Sequence, residues 1–183
     1  METTEKLIRV TPQELQAVFD RLEAEHTTRL GIIGSNVPLS ADPNDWPESF
    51  RGQPVFQLGE PWPGLVDRVI RLRHLDRLAL WSLDLGEAGA LEIAEHLTQL
   101  SSLVVGSNNI GKAGARAIAE HLTQLTSLVV GSNNIGEAGA RAIAEHLTQL
   151  SSLEVAHSGI GDAGSSAIAE HLTQLTSLDV YGN

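Results

Sequence analysis

Two carboxylates and a histidine are the first candidates for chemistry in this chain. Glu154 and Asp179 lie 25 residues apart, and His157 follows Glu154 by three. Carboxylates held close together raise each other's pKa, which suits acid–base work, and with an imidazole beside them they could hold a cation. Nothing in the sequence encloses them, however. At the same 25-residue offset the preceding counterparts are Val129 and Ser132. The expected state is a solvated acidic patch. A second candidate is the series His96, His121, His146 and His171. Four histidines at one period suggest a metal, but packed helices sit about 8–10 Å apart and a zinc–nitrogen bond is about 2 Å. A histidine in the last helical turn instead faces the negative end of the helix dipole, and that capping role is expected here. Arg68, Arg71, Arg73 and Arg77 form a basic cluster, expected to be solvated or to complement acidic residues of the chain such as Asp20, Glu23 and Glu25, with partner docking as the alternative. Catalytic motifs are missing. There is no cysteine. Gly31-Ile32-Ile33-Gly34-Ser35 matches neither glycine-rich phosphate pattern, and the serines have no consistent histidine and aspartate partners. The expectation is a protein that is not an enzyme and uses no cofactor and no metal.

The elements that position these residues come from a repeat. Leu100, Leu125, Leu150 and Leu175 are each 25 residues apart, and the intervening residues recur almost letter for letter. Near-identity at a fixed period means stacked supersecondary units. Within one unit Leu103 and Val105 alternate, as on one face of a short strand. Gly114, Ala115, Ile118 and Leu122 then fall on one face of a helix. Gly111 and Gly114 sit at the helix entry, where missing side chains allow close backbone approach. One strand and one helix cannot bury both faces alone, but stacked copies can. Strands near 78–80, 103–105, 128–130, 153–155 and 178–180 are predicted, with helices near 87–97, 112–122, 137–147 and 162–172. Asn108 and Asn133 fall in the turn after the strand, where an amide can satisfy unpaired backbone groups. Ser158 and Asn183 occupy the same place in the next two units, completing a structural turn ladder.

The pattern Leu100-x-x-Leu103-x-Val105-x-x-Asn108-x-Ile110 resembles the leucine-rich repeat. The half Gly111-x-x-Gly114-Ala115-x-Ala117-Ile118-Ala119-x-x-Leu122 is similar to its ribonuclease-inhibitor-like class, and to the GALA-type and Roco-type repeats of bacterial proteins. The resemblance covers Leu75 to Asn183. It implies an α/β fold, a right-handed solenoid bent into an arc, with an inner parallel sheet, outer helices and an N-terminal capping helix. It implies a protein-interaction role and leaves the partner open.

Composition narrows the classes further. The chain has 183 residues, 42% hydrophobic and only 4% aromatic. A solenoid packed by Leu, Ile, Val and Ala fits that profile. The net charge of −11 argues against nucleic acid, which needs a basic surface. The absence of cysteine tilts towards a reducing compartment. Met1-Glu2-Thr3-Thr4-Glu5-Lys6 has no apolar signal segment, and no run approaches the roughly 18 apolar residues of a membrane helix. A cytoplasmic protein without membrane contact is expected.

Two domains of organisation follow: residues 1–74 as an N-terminal cap and 75–183 as regular repeats. Met1 to Val10 is expected to fray. Thr11-Pro12-Gln13-Glu14 is a helix start, with Leu15, Val18, Phe19 and Leu22 on one face, predicting a helix over 12–25 that caps the solenoid. Leu30 to Val37 reads as a degenerate first strand, Pro38 to Gln53 as an irregular excursion on the convex side, Val55 to Leu58 as a second strand, and Leu65 to Arg73 as a helix. The sequence stops just after a strand. Either the natural chain continues or its C-terminal edge self-associates.

Outward strand positions set what such a surface binds. One column reads Ala79, Val104, Val129, Glu154 and Asp179, and a second reads Trp81, Gly106, Gly131, Ala156 and Tyr181. The expected function is a non-catalytic scaffold that binds a protein or peptide on the concave strand face, through Trp81, Val104, Val129, Glu154, His157, Asp179 and Tyr181. Two rivals are a sensor or substrate-recruiting segment of a larger signalling enzyme, of Roco GTPase or ubiquitin-pathway type, and a self-associating structural piece.

Overall fold

The computed structural model describes residues 7–34, 55–58 and 62–183. Eight strands form one parallel sheet in the order β1-β3-β2-β4-β5-β6-β7-β8. They are β1 (Leu7–Val10), β2 (Arg29–Ile33), β3 (Val55–Leu58), β4 (Arg77–Trp81), β5 (Ser102–Val104), β6 (Ser127–Val129), β7 (Ser152–Glu154) and β8 (Ser177–Asp179). The helices are α1 (Pro12–Ala24), α2 (Leu65–Val69), α3 (Gly86–His96), α4 (Gly111–His121), α5 (Gly136–His146) and α6 (Gly161–His171). From β4 onwards every strand pairs with its sequence neighbour at an exact 25-residue register, as in Leu103 with Leu128 and Leu128 with Leu153. None of the helices among the described residues is long and apolar enough to cross a membrane.

Strand alternation divides the sheet into two faces. Leu78, Leu80, Leu103, Val105, Leu128, Val130, Leu153 and Val155 point to the helices and merge with Ile93, Ile118, Ile143 and Ile168 in one continuous core. The leucines that close each helix, Leu97, Leu122 and Leu147, are fully buried in it. Ala79, Val104 and Val129 point the other way and belong to a separate cluster with Ile33 and Val55.

The N-terminal unit departs from the sequence expectation in three ways. Leu7 to Val10 does not fray: it is β1, paired with β3 from Leu7–Val55 to Val10–Leu58. Val10 enters the core, and that burial holds the strand. Second, β3 does not lie between β2 and β4. It pairs with the far side of β2, so β2 lies directly against β4, Arg29 opposite Arg77. Third, the helix after Pro63 is short. α2 ends at Val69, and Arg71 and Leu72 bond back three residues, to Arg68 and Val69, which tightens the chain into β4. Pro38 to Gln53, expected as an excursion, lies outside the described residues, as do Ser35 to Val37 of the expected first strand. α1 starts where the sequence puts it. Thr11 Oγ1 accepts from the Glu14 N–H at 3.3 Å, and Glu14 Oε2 accepts from the Thr11 N–H at 2.7 Å, a reciprocal cap that also holds the Glu14 carboxyl below its usual range. Leu15, Phe19 and Leu22 bury its inner face, and Phe19 meets Trp62 edge-on at 5.8 Å.

Candidate functional site

The turns that leave β4, β5, β6 and β7 are built in the same way. Ser107, Asn109 and Gly111 all have positive φ, between 55° and 60°, and Ser132, Asn134 and Gly136 repeat the pattern. Such a turn leaves backbone groups without neighbours, and a buried amide collects them. Asn133 Oδ1 accepts from the N–H of Asn108 at 2.8 Å and of Ile110 at 3.3 Å. Its Nδ2 reaches the carbonyls of Val105, Val130 and Gly131 at 2.8, 2.9 and 3.1 Å. One side chain thus joins its own turn to the preceding one. Asn108 does the same, accepting from the Leu83 N–H and donating to the carbonyls of Leu80 and Gly106. Asn183 does so for Ser158 and Ile160. Ser158 is the thin rung. Its Oγ is 3.5 Å from the Asn133 nitrogen and has one proton for two carbonyls, Val130 and Ala156.

These turns hold the strands whose outer face carries the candidate binding residues. Trp81 and Tyr181 lie on this face four strands apart. The six-membered ring of Trp81 lies against Gly106, where an added Cβ would be 2.8 Å from two of its carbons. Tyr181 is 73% exposed, and its ring meets the His157 ring edge-on at 5.1 Å. His157 holds a left-handed backbone, φ 51°, at the place filled by Ser82, Ser107 and Ser132 in earlier turns. Glu154 and Asp179 pair across β7 and β8. Asp179 Oδ1 accepts from the Tyr181 N–H at 2.9 Å. Burial, and then the Asp179 charge, push the Glu154 carboxyl above its ordinary range. Val104 and Val129 offer a partner little: they are 1% and 8% exposed, packed with Ala79, Ile33 and Val55, with Trp81 against the cluster. Strand alternation told which face they occupy but not that this face has an apolar cluster of its own.

The raised Glu154 carboxyl gives a pH prediction. When both folded and unfolded chains are protonated, the group contributes no penalty. As pH rises through the unfolded and then the folded pKa, ionisation costs the folded chain more, and the loss is complete above the folded value. Glu154→Gln should therefore stabilise the protein at neutral pH, by under about 1 kcal/mol because the site is half open to solvent. The gain should vanish at about pH 3, below the ordinary carboxylate range. Urea denaturation of both proteins at the two pH values checks this. An equal difference at both would show that ionisation is not its source.

The remaining sequence candidates are placed elsewhere. His96 Nδ1 lies 2.9 Å from the Glu92 carbonyl and His171 Nδ1 lies 3.2 Å from that of Ala167, so these two rings lie against the last helical turn. Among the described residues no group of three or more His, Asp or Glu has the spacing of a metal site. The arginine cluster does not pair with α1: Arg73 donates to the His96 carbonyl at 3.1 Å, and the Arg–carboxylate pairs among the described residues are Arg116–Glu120 and Glu137–Arg141. The sequence reading missed Arg29 and its place beside Arg77 on the face that carries no helix among the described residues, the helix-free face. Their adjacency depends on β2 lying against β4.

The leucine-rich repeat family matches residues 96–119, 121–144 and 146–169. No curated protein is similar in sequence. Among solved structures, an internalin from Listeria monocytogenes strain 4b F2365 is 18% identical with a TM-score of 0.44, over 84% of this chain and 48% of its own. The chain therefore spans about half the length of that protein.

Proposed function

We propose that the leucine-rich repeats of this chain form a non-catalytic scaffold whose helix-free sheet face binds a protein or peptide partner. Proteins built from such repeats typically mediate protein–protein contacts. One observation carries the choice of face: among the described residues the helices pack on one side of the sheet only, and the other side carries the partly buried Trp81 and the exposed Tyr181 at the two ends of a floor of Gly106, Gly131 and Ala156. Aromatic anchors flanking small residues suit insertion of another chain. The helix side offers less. Its groove between α4 and α5 is lined by Arg116, Glu120, Glu137 and Arg141, which already pair with one another. The four 11-residue helices α3 to α6 favour the ribonuclease-inhibitor-like type of repeat.

Affinity capture from an extract of the source cells tests the face. Tyr181→Ala should reduce capture of the specific partner by about tenfold or more, the loss expected of an aromatic anchor. Glu145→Ala, on the helix side, should leave it unchanged. Circular dichroism should show both variants folded. Equal capture by both would move the binding surface off the helix-free face.

A further inference from the structure

The helix-free face is electrically polarised across the strands. Residues 29, 31 and 33 of β2 and 77, 79 and 81 of β4 share this face, since Ile33 and Ala79 belong to its cluster and the alternate residues Leu30, Ile32, Leu78 and Leu80 to the main core. Arg29 and Arg77 therefore stand side by side at the starts of these two strands, the third and fourth of the sheet, both exposed. Arg9 on β1, whose Nε donates to Gln57 Oε1 at 3.2 Å, adds a third guanidinium on the same side. Neither Arg29 nor Arg77 makes an ion pair among the described residues. In the row that Arg77 begins, β5 to β8 carry Ser102, Ser127, Ser152 and Ser177, which are uncharged. The next row ends in Glu154 and Asp179, which likewise have no cationic partner among the described residues. A chain with net charge −11 thus keeps a positive pole at β2 and β4, midway across the sheet, and a negative pole at β7 and β8, at its C-terminal edge.

We infer that the partner is a polypeptide segment of opposite polarity, lying across the strands with acidic residues over Arg29 and Arg77 and basic residues over Glu154 and Asp179. This rests on the helix-free face being the binding surface and adds what the partner must look like. Three to four strand spacings separate β4 from β7 and β8, about 14–19 Å, which an extended segment covers in about four to six residues. Between those poles the segment crosses Ser102 and Ser127 and the largely buried Val104 and Val129, so its middle meets an uncharged surface. Wrong-polarity segments bring like charges together at both ends, so the arrangement rejects as well as selects.

The probe is a fluorescent peptide with an Asp-Asp pair and an Arg-Arg pair separated by about four Ala and Ser residues, matched to the strand spacing. Its control has the same residues with acidic and basic positions alternating. Anisotropy titrations at low salt should show the polarised peptide binding at least about tenfold more tightly than the control, a preference that fades as salt screens it. Arg77→Glu and Asp179→Lys, both at exposed positions, should each remove most of that preference while leaving the circular dichroism spectrum intact. Ser127→Trp, in the middle of the face, should weaken the polarised peptide. Equal binding of the two peptides, if lost in Ser127→Trp, overturns the polarity and leaves the face standing. A preference that Ser127→Trp does not touch places the binding elsewhere and overturns both. No binding of either peptide overturns the polarity.

Discussion

Asn133→Ala should cost the protein about 3–5 kcal/mol, more than any other polar substitution in the repeats, because it strips several buried groups at once. The side chain is fully buried and bonds two N–H groups and three carbonyls. Removal strands the Asn108 and Ile110 donors and the Val105 carbonyl in a region that water does not reach. Each orphaned group costs about 1–3 kcal/mol, and some relaxation brings the sum down. The position matters as much as the count. In a stack, stability is close to a sum of unit and nearest-neighbour terms, and Asn133 is the link between the turns after β5 and β6. The break should therefore divide the solenoid. Urea unfolding should move to a much lower midpoint and show two transitions where the parent shows one. Hydrogen exchange should quicken first in the turns at 105–110 and 130–135. Ser158→Asn is the converse test. It restores the missing amide at the thin rung and should add about 1 kcal/mol, as replacements towards the repeat consensus commonly do. A neutral result there would mean that the cavity at Ser158 cannot accept an amide, and the ladder's energy could not then be read from hydrogen bonds alone.

What the sequence disclosed tracks how often a feature is repeated. The 25-residue register was legible from Leu75 on because four nearly identical copies constrain each other. A wrong phase in one would expose Leu103, Leu128 and Leu153 together. The N-terminal unit has no copies. β1, β2 and β3 are each four or five residues, and short apolar runs show that a strand exists without showing its neighbours. Which strands pair there depends on long-range packing, so the contact of β2 with β4, and with it the Arg29–Arg77 pair, was not readable. At the candidate site, alternation correctly gave the face for Trp81, Glu154, Asp179 and Tyr181. It could not distinguish Val104, shut into a second apolar cluster, from Tyr181, which stands in solvent. Periodicity reports direction, and burial depends on what else lies on that side.

Gly139→Leu should be at least as damaging as the loss of the Asn133 amide, for a reason that concerns the spacing of the units. A Cβ at Gly139 would lie 2.8 Å from the Ile135 Cβ and 3.1 Å from the Ala115 Cβ. Both are first atoms of their side chains, so neither can rotate away. Gly114 meets Ile110 and Ala90 in the same manner, and Gly164 meets Ala140 and Ile160. This stripe lets successive helices approach, and it sets the distance at which β5 and β6, the strands before α4 and α5, can also keep their hydrogen bonds. A leucine must push α5 away from α4, opening the core at Ile118 and Ile143. Overpacking of this kind costs about 1–3 kcal/mol and more where backbone must move. The loss of contact across two units raises it here to about 4 kcal/mol or above. Three residues earlier, Gly136 supplies the contrast. Its φ is +64° and an added Cβ would meet nothing within 4 Å, so Gly136→Ala pays only backbone strain, about 1 kcal/mol. The sequence reading assigned close approach to both glycines of this pair; geometry gives it to the second and chain reversal to the first. Thermal unfolding separates them. Gly136→Ala should lower the midpoint by a few degrees with the transition still sharp, whereas Gly139→Leu should broaden it and uncover apolar surface to a hydrophobic dye below the midpoint. Similar small shifts for both would mean that neighbouring helices are not held apart by contact at this stripe, and the strand ladder alone would then set the spacing of the repeats.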